Sequence, residues 1–135
     1  MITYQKNPED VDWAALRQRL IADNFDNGRN LAQYETSFRN SRFIFAYDGD
    51  EVVGKARALT DGVCNAYIVD VWTYSPYRNQ GIASEMLRRL EEDLQGQHVY
   101  LFTDDAVGFY QKQGYKIWDV GLGKVVGAWL VNTPD

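Results

Sequence analysis

Apolar and polar positions along this chain regroup often enough to separate its strands from its helices. Residues 2–5 alternate as a short strand. Asn7-Pro8-Glu9-Asp10 then reads as a turn and helix start, with acidic residues suited to the positive end of the next helix. Trp13, Leu16 and Leu20 recur at helical spacing and predict a first helix to about residue 23, broken by Asp26-Asn27-Gly28. Leu31, Tyr34 and Phe38 mark a second helix that ends near residue 40. Residues 43–47 and 52–59 read as strands joined by the hairpin turn Asp48-Gly49-Asp50. After Thr60-Asp61-Gly62 turns the chain again, residues 65–73 form a long strand. From Ile82 onward, Ala83, Met86, Leu87, Leu90 and Leu94 trace one buried face of a third helix, with Gly96 as its C-cap. Residues 98–103 predict a strand and 105–113 a short helix capped by Gly114. Residues 115–119 and 126–131 predict two final strands, and the glycine-rich run 121–127, which lacks a phosphate loop's Gly-Lys-Ser/Thr ending, reads as the turn between them. This order predicts an α/β chain on one central mixed sheet, about seven strands flanked by about four helices.

Composition sets the outer bounds. A chain of 135 residues makes a single domain, 1–135, and 45% hydrophobic with 24% charged residues is ordinary globular composition. The formal net charge of −5 disfavours nonspecific nucleic-acid binding, which needs a basic surface, and suits a cationic acceptor such as an amine. A single cysteine, Cys64, excludes an internal disulfide, and no Cys/His cluster is spaced to hold zinc. The first residues lack a signal peptide's apolar stretch, and no run approaches the roughly 20 apolar residues that span a bilayer. The expectation is a soluble cytoplasmic protein without a membrane partner.

The chemistry concentrates where the long strand meets the third helix. Arg78-Asn79-Gln80-Gly81-Ile82-Ala83 opens that helix. A helix's first turn carries backbone N–H groups with no internal partner, and its dipole makes that end partly positive. A pyrophosphate fits there. Gly81, lacking a Cβ, lets phosphate oxygens approach the backbone, Ala83 is small for the same reason, and Arg78 adds a fixed positive charge. Taken alone, such a glycine is also compatible with a plain turn.

With Tyr77-Arg78 before it, this segment resembles the cofactor loop of the GNAT superfamily of N-acetyltransferases, written Arg/Gln-x-x-Gly-x-Gly/Ala and filled here by Arg78, Gly81 and Ala83. A second stretch, Ala106-Val107-Gly108-Phe109-Tyr110-Gln111-Lys112-Gln113-Gly114-Tyr115, is similar to the family's downstream Ala-x-x-Phe-Tyr-x-x-x-Gly-Phe. The strong resemblance covers residues 65–116; Thr103 stands where many members carry Asn, and Tyr115 replaces the common Phe.

The resemblance implies a GNAT-like acyl-CoA N-acyltransferase fold, with acetyl-CoA as co-substrate and no metal. It implies that Val71, Trp72 and Thr73 offer backbone groups to the pantetheine arm, with the Thr73 N–H donating to the thioester oxygen. Asn79, Gln80, Gly81, Ile82, Ala83 and Ser84 are then expected to cradle the pyrophosphate, Arg78 to support that loop, and Lys112 to meet the 3′-phosphate. Tyr110 is the expected proton donor to the departing thiolate; a phenol of pKa near ~10 stays protonated at neutral pH. The alternative is that Phe109-Tyr110 is an aromatic packing pair. Asp70 is the first choice as general base or, equally, the centre of a hydrogen-bond network. Asp104 and Asp105 read as helix caps, and His98 as an exposed strand-edge residue. Phe25, Arg29, Tyr34, Trp118 and Trp129 are expected to line the acceptor pocket, Arg29 suiting a carboxylate-bearing acceptor. The function implied is transfer of acetyl from acetyl-CoA to a primary amine of a small molecule by direct attack in a ternary complex. The alternative is a non-catalytic acetyl-CoA-binding sensor or dimerising module. A homodimer paired through the C-terminal strands is the implied assembly.

Overall fold

The computed structural model describes residues 1–118 and 120–127. In chain order its elements are β1 (Ile2–Gln5), α1 (Trp13–Ala22), α2 (Leu31–Arg39), β2 (Arg42–Asp48), β3 (Glu51–Thr60), β4 (Asn65–Thr73), α3 (Ile82–Glu92), β5 (His98–Leu101) and α4 (Val107–Lys112). The helix starts follow local chemistry. The Asp12 carboxylate accepts the Ala15 N–H at 3.0 Å, capping α1. Asn30 and Gln33 form a reciprocal capping box on α2.

The strands form one sheet in the order β1-β2-β3-β4-β5; the first three junctions are antiparallel and β4–β5 is parallel. Helices cover both faces. On one, α1 and α2 bury Leu16, Leu20, Tyr34 and Phe38 against Phe43, Phe45, Val52 and Trp72. On the other, α3 buries Ile82, Met86, Leu87 and Leu90 against Ile44, Val53, Ala56 and Ile68. Gly54 permits this close approach, because a Cβ there would stand 3.0 Å from the Met86 side chain and 3.2 Å from the Ala46 Cβ. The exposed side of α3 is laced by Glu85, Arg88, Arg89 and Glu92 ion pairs at 2.7–2.8 Å.

One irregularity positions the site. Arg57 pairs with Asp70 and Ala58 with Ile68, so Val69 is an extra, unopposed residue in β4. Ala66 and Ile68 before it face α3, whereas Asp70 and Trp72 after it face α1 and α2.

The described residues hold five strands rather than about seven. The segment 115–118 carries no strand, and its Ile117 and Trp118 side chains are exposed. A strand there would need its hairpin partner, and most of that partner, residues 128–131, lies outside the described residues, as do Asp119 and Trp129. Strand β5 also ends at Leu101, two residues earlier than its apolar pattern suggests, and α4 begins at Val107 instead of residue 105. No helix among the described residues is long and apolar enough to cross a membrane.

Candidate active site

Strands β4 and β5 pair only from Asn65–His98 to Ile68–Leu101, and part where Val69 bulges. Beyond that point β4 has, among the described residues, a neighbouring strand on one side alone. The Tyr74 N–H donates to Val53 O at 2.8 Å. Successive N–H groups of a strand point to opposite edges, so those of Trp72 and Asp70 also turn toward β3, and those of Val71 and Thr73 turn into the gap. The Thr73 carbonyl accepts from Arg78 Nε at 3.2 Å. The Thr73 hydroxyl is buried and has no hydrogen-bond partner among the described residues. An amide-bearing arm laid along the gap fits this donor set and would supply the missing partner, since a buried hydroxyl left unpaired is costly.

A 3₁₀ turn at Ser75–Tyr77 leads from the gap to α3. Asn79 and Gly81 follow with φ of 64° and 80°, so the chain reverses through two left-handed residues. Gly81 is the N-cap of α3 and offers no side chain to it. The first intrahelical bond runs from Glu85 N to Gly81 O, which leaves the N–H groups of Ile82, Ala83 and Ser84 without a helical partner. Arg78, Asn79, Gln80 and Gly81 are exposed, so the loop presents its backbone to solvent. The geometry is a cradle for an anion at a helix start.

Helix α4 is held against this cradle by the Gln113 side-chain amide, which donates to Ser84 Oγ at 3.1 Å. Tyr110 stands on α4 with its ring edge-on to Phe109 and Tyr115, and packs against the same core cluster as Val71. Its hydroxyl makes no hydrogen bond among the described residues. Burial, with help from the Asp105 charge, pushes its pKa above the usual phenol value. The group is therefore a protonated donor without a partner.

The α1/α2 face carries a different kind of site. Asp70 Oδ2 accepts from Arg57 Nε at 2.9 Å and lies 3.8 Å from Lys55 Nζ, while Oδ1 makes no hydrogen bond among the described residues. Lys55 is only 2% exposed. It donates to the Tyr34 hydroxyl and sits against the rings of Phe25, Tyr34 and Phe38 at 5.6, 4.8 and 5.3 Å. Burial, partly countered by Asp70, pushes Lys55 down to about 8. Burial and the Asp70 charge push the Tyr34 phenol up. The Phe25 ring, partly exposed, lies 6.4 Å from that of Trp72.

The two faces divide the expected site residues. Val71, Thr73, Arg78 to Ser84 and Tyr110 gather around the gap and the α3 cradle. Trp72 does not join them, because its N–H turns to β3 and its indole is 2% exposed in the α1/α2 core. Asp70, Phe25 and Tyr34 gather on the α1/α2 face, and Arg29 lies on the connection that carries Phe25, its Nη1 donating to Asn27 O at 3.2 Å. Trp118 stands apart, edge-on to His98 at 4.4 Å beside β5, where a cavity of about 770 Å³ opens between that strand and α4. Sequence reasoning passed over Lys55, Arg57 and Asp23. Lys55 and Arg57 carried one signal: two cations in a strand expected to be covered on both faces need partners.

The Acetyltransferase (GNAT) family profile matches residues 9–115. The chain belongs to the GNAT acetyltransferase family. No curated protein sequence matches it. Among solved structures, a GNAT family acetyltransferase of Streptococcus pneumoniae TIGR4 is 27% identical, with TM-score 0.79 over 93% of this chain and 98% of its own. Two solved structures of lower identity share the fold alone. An aminoglycoside acetyltransferase from an uncultured soil metagenomic sample is 18% identical, with TM-score 0.69 over 94% of this chain and 99% of its own. Glucosamine-6-phosphate N-acetyltransferase of Arabidopsis thaliana is 13% identical, with TM-score 0.74 over the same shares.

Proposed function

We propose that this GNAT protein is an acetyl-CoA-dependent N-acetyltransferase acting on the primary amine of a small molecule by direct attack in a ternary complex. Acetyl-CoA supplies a thioester-activated acetyl group. Val71 and Thr73 hold its pantetheine arm through the backbone groups turned into the gap, and the Thr73 N–H donates to the reacting carbonyl. The loop from Asn79 to Ser84 binds the pyrophosphate through backbone N–H groups. Arg78 braces both, through the Thr73 carbonyl on one side and the loop on the other. Tyr110 donates its proton to the leaving sulfur.

Asp70 works from the opposite face. Arg57 fixes one of its oxygens, and the other is free to take a proton from the attacking ammonium. Phe25 and Tyr34 pack against the neighbouring Lys55 on that face, and with Arg29 they are assigned to the acceptor side. The observation that carries this reading is the parting of β4 from β5 at Val69, beside an α3 start that offers unpaired N–H groups.

Two measurements test it. Saturating coenzyme A should raise the melting temperature, because a ligand at about a hundredfold over its Kd adds roughly 3 kcal/mol to the native state. Release of free thiol from acetyl-CoA should then depend on an added amine. A protein that binds coenzyme A but releases no thiol with any amine would be a binding module instead.

A further inference from the structure

Asp23 ends α1, yet its carboxylate acts across the fold. The helix is closed by the Asp23 backbone, whose N–H donates to Arg19 O at 2.9 Å. The side chain is free for other work and is only 8% exposed. Its Oδ2 accepts from Trp72 Nε1 at 3.0 Å, from the Ser75 N–H at 3.1 Å and from Arg78 Nη2 at 3.3 Å. Its Oδ1 accepts from Ser75 Oγ. Burial works against the charge, but the hydrogen bonds from Ser75 and Trp72 and the Arg78 charge outweigh it and hold the carboxyl below its usual value.

These partners belong to both halves of the site. Trp72 lies under Phe25, on the acceptor side. Arg78 opens the coenzyme loop and donates through Nε to the carbonyl of Thr73, the residue at the mouth of the gap. Ser75 begins the 3₁₀ turn between them. One buried carboxylate therefore joins the α1–α2 connection, the end of β4 and the pyrophosphate loop. Arg78 is 54% exposed at its side chain, and among the described residues this pairing and the Thr73 contact fix where it points.

We propose that Asp23 is a positioning residue that locks the acceptor-side loop to the coenzyme loop through Arg78 and Trp72, and so sets turnover more than coenzyme affinity. This rests on the acetyltransferase reading above. Loss of its charge leaves the α3 cradle intact but lets the α1–α2 connection that carries Phe25 drift relative to Arg78 and Thr73, and misplacement of about 1 Å near a reacting centre costs about a hundredfold in rate.

The test uses the full chain with Asp23→Asn, which keeps an oxygen for Trp72 and Ser75 and removes the charge facing Arg78. Coenzyme A affinity by calorimetry should stay within about threefold, while kcat with the best amine falls about 10- to 100-fold. Ser75→Ala removes the hydroxyl that Asp23 Oδ1 holds, from the exposed side, which keeps the test open if Asp23→Asn folds poorly, and it should give the same split at smaller size. The double variant should be hardly slower than the worse single one, since both break one unit. An unchanged kcat, additive losses, or a parallel loss of coenzyme affinity would overturn the proposal. Wild-type protein that does not bind coenzyme A at all would instead sink the acetyltransferase reading.

Discussion

The two faces of the sheet solve opposite problems. On the α3 side the packed surface is apolar, and apart from the Tyr110 hydroxyl the groups on offer are mostly backbone: amides freed by a bulge and by a helix start with no side-chain cap. On the α1/α2 side polar side chains are buried among aromatic rings, where Lys55, Arg57, Asp70 and Tyr34 hold one another and Asp23 holds Trp72, Ser75 and Arg78. A backbone site costs little stability, because the groups it leaves unpaired lie at edges and termini that water reaches. A buried side-chain site is part of the core, and each member depends on its partners.

That contrast can be broken or sharpened by mutation. The largest effect is expected from Ala83→Glu, which places bulk and negative charge in the cradle and should abolish the coenzyme A thermal shift. Stability without ligand should move by no more than about 0.5 kcal/mol, because an acidic residue in a helix's first turn is well placed. A marked loss of ligand-free stability would blur the distinction between the faces. Asp70→Ala should do the reverse, lowering unfolding free energy by about 3 kcal/mol in urea titration, since Lys55 and Arg57 keep their charges and lose their carboxylate. Stability equal to wild type would mean that the pair is not a unit.

Next comes Tyr110→Phe, which should leave coenzyme A affinity unchanged and lower kcat about a hundredfold, the scale of losing a proton donor. Unchanged turnover would remove Tyr110 from that role. The smallest effect is a pH dependence. Lys55 titrates near 8 when folded against 10.5 when free, so the unfolded chain binds more protons between those values. Its burial penalty is constant below 8 and is relieved as pH rises toward 10.5. Wild type should therefore gain stability relative to Lys55→Met across that window, read as a narrowing difference in urea midpoints. A difference independent of pH would place Lys55 outside the coupled cluster.

The backbone half of the site was legible in sequence because it is local. Arg78 to Ser84 lie in one run, and the strand before them and the helix after them announce themselves by period. The Val69 bulge itself was not legible, since it is defined by register against β3. The side-chain half is assembled from positions far apart: Asp23 from the end of a helix, Tyr34 from the next, Lys55 and Arg57 from β3, Asp70 from β4. In Val52-Val53-Gly54-Lys55-Ala56-Arg57-Ala58 the two cations alternate with small apolar residues, and their partners come from α2 and β4, which the strand alone does not name. The mixed sheet, its five central strands and all four helices followed from periodicity. Residues 115–118 carry no strand among the described residues, and most of the hairpin partner their pattern suggests, residues 128–131, lies outside them.

The extra residue at Val69 has an evolutionary consequence. Side chains in a strand alternate, so removing one residue between Ile68 and Asp70 would send every later side chain of β4 to the other face. Asp70 and Trp72 would turn toward α3, and Thr73 toward the aromatic cluster. Point substitutions leave that assignment untouched, however many accumulate, whereas the loss of a single codon would reverse it. Which face each side chain of β4 serves is thus inherited as a count of residues, while what each face does depends on their identities.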